Sequence, residues 1–296
     1  MRFQMWFDLV PATEESLSAM SLPIALISTD FDGTLFAEFE NPPVPGHLQD
    51  LIAGLQRQGV KWVINTGREL SSLFESMSRA HLRIKPDYLV VVEREIFVHR
   101  DSQYVELPEW NRDCDRAHEE LFAQVRLDLP RLMDWVGENF ASATVYEDDW
   151  SPFCLIAEKP ADAAIIHEYL DAYCQEVPHL TVVRNDVYAR FSHEQFTKGT
   201  ALREIARRLG ISAEQTLAAG DHLNDLSMLS LECARYLVTP SNAVDEVKEA
   251  VRRQAGYISP LAQGHGVADG VLHHLRTIST KSGIEGNTGR ILTVPP

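Results

Sequence analysis

Cysteine is scarce: four residues in 296, at Cys114, Cys154, Cys174 and Cys233, with no CxxC pair and no histidine spacing that would complete a zinc site. A disulfide framework and a structural zinc are therefore excluded, and the thiols read as free cysteines of a reducing compartment. Basic residues are also few. Lys+Arg number 27 against 43 Asp+Glu, a formal net charge of -16. Such a chain gains little from counterion release on a nucleic-acid backbone and is repelled by an anionic membrane surface, so neither is expected as a partner. Long apolar runs are missing too: the longest, such as Leu22 to Ile27 and Tyr88 to Val92, fall far short of the roughly 20 residues that cross a bilayer. The first 20 residues carry one basic residue and an apolar patch broken by Gln4 and Asp8, which does not predict a signal peptide. There is no internal repeat or low-complexity tract. What remains is 45% hydrophobic and 24% charged, the balance of a globular protein expected in the cytoplasm, long enough for two modules or for one core carrying an insertion.

The stretch LPIALISTDFDGTL begins as a nearly continuous apolar run and ends in acidic residues and a glycine. A strand apolar on both faces predicts the centre of a parallel sheet covered by helices. Helical spacing from Gly46 to Arg57, then VKWVINTGR, completes a β-α-β unit, and a helix over Glu69 to His81 and a run from Pro86 to Val92 continue it. The pattern then changes to a hairpin over Ile96 to Leu107, a long helical stretch from Trp110 to Asn139 broken or kinked at Pro130, and strands near Ala143 to Tyr146 and Phe153 to Glu158. A helix from Pro160 to Glu176 and two runs separated by Asn185-Asp186 follow, which together predict an inserted α+β module. Helix-strand alternation resumes after Lys198. The expected organisation is an N-terminal extension over 1–20, a core over 21–85 and 194–278, an insertion over 86–193, and a tail over 279–296.

Polar features stand at the ends of the predicted elements: Asp30 and Asp32 in DFDGT, Thr66 in INTGR, Lys198 in TKGTAL, and Asp221 with Asp225 in GDHLND. In a parallel sheet the carboxyl ends of strands share one edge, where ligands bind. Asp30 is placed to attack phosphorus as a carboxylate nucleophile, and Asp32, two residues on, to protonate the leaving alkoxide and then activate water. Gly33 leaves the backbone free to approach an anion. Several carboxylates beside a phosphate need a hard cation, and an oxygen-only donor set favours Mg²⁺, with Asp30, the backbone carbonyl of Asp32, and Asp221 as ligands. Thr66 and Lys198 would hold the equatorial phosphate oxygens. Gly67, Arg68 and Asn224 complete the candidate substrate contacts, and Asp225 joins the metal group. Each feature taken singly has a plainer reading: a solvated turn for DxD, a helix N-cap for Thr66 with Glu69 closing a capping box, a solvated charge for Lys198. Their joint occurrence in this order favours chemistry.

These motifs, DFDGTL, the TGR of INTGR, the lysine of TKGTAL and GDHLND, resemble the four motifs of the haloacid dehalogenase superfamily of phosphatases. The resemblance implies an α/β fold, a Rossmann-like parallel-sheet core with an inserted α+β cap, and the roles just derived, with Asp225 a supporting carboxylate. An insertion between the second and third motifs is similar to the large α/β cap of sucrose-phosphate and Cof-type phosphatases, and PDYLVVVEREIFV with ELPEW, SPFCLIAE and QGHGVADGVLHHL lean toward the sucrose-phosphatase-like branch. It implies Mg²⁺-dependent hydrolysis of a small phosphorylated metabolite such as a sugar phosphate, by a monomer or small homo-oligomer. A phosphomutase, or a silent phosphosugar-binding regulator, is the alternative. Many relatives carry a small residue where Asn65 stands, and Asn-Gly or Gly-Thr where Glu93-Arg94 stands. Asn242 in PSNA resembles a position beside the phosphate site and would equally serve as an N-cap. In the cap, Arg184, Tyr188, Arg190 and His193 are candidates for contacts with the leaving group, and Trp110, Trp135 and Trp150 could stack on a sugar, with core packing expected for at least two of them.

Overall fold

The computed structural model describes residues 22–185 and 187–281. The N-terminal extension, Asp186 and the tail beyond residue 281 lie outside the described residues. Strand β1 (Leu26–Thr29) is buried throughout and lies near the middle of an eight-stranded sheet. Its apolar continuity follows from its two faces: Leu26 packs into one core cluster and Ile27 into another on the opposite side. The remaining strands are β2 (Lys61–Asn65), β3 (Tyr88–Val91), β4 (Glu95–Arg100), β5 (Gln103–Glu106), β10 (Thr216–Ala219), β11 (Tyr236–Thr239) and β12 (Tyr257–Ile258), in the order β12-β11-β10-β1-β2-β3-β4-β5. All pairings from β12 to β3 are parallel, and β3-β4-β5 is antiparallel. The chain leaves β1 toward β2 and later returns to its other side at β10, which makes the carboxyl ends of β1, β2 and β10 a topological switch point.

Helices α1 (Gly46–Gln56), α2 (Leu70–Arg79) and α8 (Gln263–Lys281) bring buried residues to one face, and α6 (Lys198–Leu209) and α7 (Asp245–Arg253) to the other. Helix α6 is sharply delimited. Thr197 and Thr200 form a reciprocal capping box at its start, Arg207 and Arg208 lie in its last turn, and Gly210 closes it at φ +67°. The second sheet has the order β6-β7-β9-β8, formed by β6 (Ala143–Asp148), β7 (Ser151–Ala157), β8 (Leu180–Asn185) and β9 (Tyr188–His193), all antiparallel. The end of α3 (Pro108–Val125), α4 (Leu129–Asn139) and α5 (Pro160–Cys174) cover one of its faces with a separate apolar cluster. Alternation along β9 puts Ala189 and Phe191 into that cluster and leaves Tyr188, Arg190 and Ser192 on the opposite face.

The fold is thus α/β, a parallel-sheet core with an inserted α+β unit. Two expectations are corrected. A boundary at residue 86 would assign β3 to β5 to the insertion, yet β3 pairs with β2 and the hairpin continues the core sheet. By sheet membership the second unit begins at α3. The long helical stretch breaks over residues 126–128, and Pro130 sits in the first turn of α4, where the absent N–H has no intrahelical partner to lose. The two-residue β12 is too short for a periodic signal. None of the helices among the described residues is long and apolar enough to cross a membrane.

Candidate active site

Asp30 follows β1 directly, and its backbone N–H donates to Ala219 O at 2.9 Å, so β10 fixes its height at the sheet edge. Lys198 opens α6 and is fully buried; its Nζ donates to Asp30 Oδ1 and Asp225 Oδ1, both at 2.6 Å. Asp225 accepts from the backbone N–H groups of Asp221 (2.8 Å) and His222 (3.0 Å) through Oδ2. Both of its oxygens accept hydrogen bonds within the protein, so Asp225 joins the GDHLND turn to Lys198 while standing in the acidic cluster with Asp30 and Asp221. Asp221 in turn accepts from Thr34 Oγ1 at 2.5 Å. A Cβ on Gly33, whose φ is +73°, would stand 2.4 Å from Asp221 Oδ2. Gly33 therefore serves both the left-handed turn and the close approach of the GDHLND segment.

One oxygen each from Asp30, Asp221 and Asp225 lies within a 4.8 Å cluster. Burial, then repulsion from Asp225, raises the Asp30 carboxyl well above its usual range, with Lys198 opposing. Burial and Asp225 push Asp221 up to about 7. Burial pulls on Lys198 in the neutral direction, but Asp225 and Asp30 outweigh it and the ammonium stays charged. A buried carboxylate group with one lysine against it is the electrostatic setting that a hard divalent cation relieves.

Thr66 follows β2 directly and is buried; its hydroxyl accepts from Arg68 N–H at 3.2 Å. It is not a helix cap: Glu69 caps α2 with its own carboxylate, which accepts from Ser71 and Ser72 N–H. Arg68 grips both oxygens of Asp32 at 2.7 Å and reaches Ser72 and Ser76, and that pairing raises its pKa further. Asp30, Asp32, Thr66, Gly67, Arg68 and Asn224 line one cleft of about 310 Å³ together with Glu93, Asn185, Tyr188 and Arg190. Tyr188 and Arg190 of the four cap candidates thus reach the site. Arg184 lies in a neighbouring depression and meets Asp171 at 3.5 Å, while His193 turns away and stacks on His179. Trp135 stacks on Tyr169 inside the cap, Trp110 packs edge-on to Phe196, and neither they nor Trp150 line the cleft.

Glu93, Asn65 and Asn242, marked in the sequence but not among the candidate site residues, join the site. Glu93 is buried at the cleft wall and accepts from Asn224 Nδ2 at 2.8 Å. Asn65 donates to the Lys198 carbonyl at 3.0 Å, anchoring the start of α6 to β2. In the sequence it is a polar residue closing VKWVIN, where many relatives carry a small one. Asn242 donates to Gly33 O at 2.9 Å and accepts from Gln263 N–H, bracing the first motif; the cap residue of α7 is Val244.

A sequence profile described as haloacid dehalogenase-like hydrolase matches residues 137–271. Phosphatase YwpJ of Bacillus subtilis is 26% identical over 84% of this chain and 99% of that protein. The 5-amino-6-(5-phospho-D-ribitylamino)uracil phosphatase YcsE of the same organism is 26% identical, over 87% and 98%. Among solved structures, the sucrose-phosphatase of Synechocystis sp. PCC6803 superposes with a TM-score of 0.64 at 19% identity, covering 84% of this chain and 96% of that one. A haloacid dehalogenase-like hydrolase of B. subtilis gives 0.58 at 20% identity, covering 86% and 99%. With four motifs meeting at one sheet edge, a profile match over residues 137–271 and phosphatase relatives matched over nearly their full length, the chain is similar to the haloacid dehalogenase-like hydrolases and is a phosphatase.

Proposed function

We propose that the protein hydrolyses a small neutral sugar or polyol phosphate in the cytoplasm through an aspartyl-phosphate on Asp30. The observation that carries this is Asp30 itself: a buried carboxylate at the cleft floor, oriented by Lys198 through one oxygen, with Asp32, Thr66 and Arg68 around the same cleft. An oxygen of Asp30 attacks phosphorus, and the ester oxygen leaves with a proton from Asp32. Water, deprotonated by Asp32, then attacks the phosphorus of the acyl phosphate and releases inorganic phosphate, returning Asp30. Asp32 must leave the Arg68 guanidinium to do this, since both its oxygens are held there. In this reading Thr66 holds a phosphoryl oxygen, and Lys198 supplies positive charge beneath the phosphate through Asp30. Asp30, Asp221 and the Asp32 carbonyl fit Mg²⁺, which when bound neutralises the carboxylates and the incoming phosphate. The polyol class is supported by a relative that acts on a ribityl phosphate and by the fold shared with a sucrose-phosphatase. Phosphate release should require Mg²⁺, vanish with EDTA, return on adding the metal back, and be lost in Asp30→Asn. Turnover that persists in Asp30→Asn would refute the covalent route.

A further inference from the structure

Glu93 sits where the backbone disfavours it. Val92 and Glu93 have φ of +43° and +69°, a region that glycine enters without cost and a β-branched or acidic residue does not. Such strain persists where the surroundings impose it, and an observed outlier beside a reaction centre points to a role. Here the turn is tied to the phosphate loop: Val92 N–H donates to Arg68 O and Glu93 N–H to Thr66 O, both at 2.9 Å. The result is that the Glu93 carboxylate lies over Gly67, where a Cβ would come within 3.0 Å of Oε1. Asn224 occupies Oε1, and Oε2 accepts no hydrogen bond from the described residues although Glu93 lines the cleft.

The charges around it are already matched. Arg68 is spent on Asp32, and Lys198 on Asp30 and Asp225. Arg190 reaches down from β9 to donate to Gly67 O at 2.9 Å, has Asp148 at 4.0 Å, and draws its strongest charge stabilisation from Glu93. Among the described residues, the two cations that line this cleft, Arg68 and Arg190, therefore each face a carboxylate before substrate enters.

We propose that Glu93 determines specificity, accepting a hydrogen bond from a hydroxyl of the leaving group and repelling esters that carry a carboxylate or second phosphate near the scissile bond. This rests on the reading that the cleft receives the leaving group of a phosphate ester. A buried carboxylate left without its hydroxyl partner, or brought against another anion, discriminates far more strongly than an apolar wall.

Glycerol 3-phosphate and 3-phosphoglycerate test it, because they differ only in a hydroxymethyl against a carboxylate. The wild type should favour glycerol 3-phosphate at least tenfold in kcat/KM. Glu93→Gln keeps the acceptor for Asn224 but removes the charge; it should shrink that preference at least fivefold, with KM for glycerol 3-phosphate moving more than kcat. Glu93→Asp should retain the preference. A wild-type ratio within twofold of unity, an unchanged ratio in Glu93→Gln, or turnover of p-nitrophenyl phosphate with neither natural ester overturns the proposal. Absence of phosphate release from all three esters would instead sink the hydrolase reading beneath it. Should Glu93→Gln not fold, the wild-type ratio and Glu93→Asp still decide.

Discussion

Lys198 is the only cation touching Asp30 and Asp225 among the described residues, and its side chain is wholly buried. Replacing it with methionine keeps the length of the chain but leaves two buried carboxylates unpaired. Two charge-assisted bonds at 2.6 Å are lost at once. Removing one partner of a buried ion pair costs about 3–5 kcal/mol, a large share of the about 5–15 kcal/mol that holds a domain folded. Urea unfolding in EDTA reads the loss, and phosphate release with Mg²⁺ should fall by about 10²–10³-fold or more. Asp225→Asn on the Lys198→Met background then tests the cause. With the second charge gone, its destabilising effect should be smaller than in the wild type, giving a coupling of about 1–3 kcal/mol. A Lys198→Met variant within about 1 kcal/mol of wild type, or strictly additive effects, would refute the argument that this triad is held by charge in a dry site.

Gly33→Ala should cost about 1–2 kcal/mol for its left-handed backbone and displace Asp221, so that Mg²⁺-dependent phosphate release falls much further than the denaturation midpoint does. Gly199→Ala should destabilise through packing alone, because its Cβ would stand 2.0 Å from the Ser227 carbonyl; thermal melting reads this, and an unchanged Tm would contradict it. His118 gives an acid-sensitivity prediction. Burial, then Arg94, holds it down to about 3, while Nε2 accepts from His193 N–H and Nδ1 faces the Cys114 carbonyl on its own helix. Between about pH 6.5 and 3 the unfolded chain binds a proton that the folded chain refuses, so stability is full above that window and lost as pH falls through it. The slope is about 1.4 kcal/mol per pH unit, and His118→Gln should flatten it in urea titrations at pH 5 and 7.

The motifs of the candidate site were legible because each is a short, contiguous signal at an element boundary, and the sheet brings those boundaries together whatever the details between them. Glu93, Asn65 and Arg190 act across the fold, through Asn224, Lys198 and Gly67 respectively, and no local pattern marks such pairings. Glu93 is instructive: a conspicuous residue in the chain, its backbone conformation and its position over Gly67 appear only when β3 and β2 are in register. The hairpin β4-β5 misled for a related reason. Alternating residues specify a half-buried strand but not which sheet it joins, and the pairing of Tyr88 with Val98 decides that. Thr66 and Glu69 have the spacing of a capping box, yet Glu69 caps α2 itself, leaving the threonine hydroxyl at the cleft.

The edge hairpin also sets how this protein could be rebuilt. A chimera that exchanged everything from residue 86 onward into the insertion would carry away three strands of the catalytic sheet and bare the hydrogen-bonding edge of β2. Joins after Leu107 and before Glu194 would leave all eight strands in place, and only Glu194 to Thr197 would then separate the foreign cap from Lys198. That short return link makes α6 the element through which a grafted cap would be felt by the reaction centre.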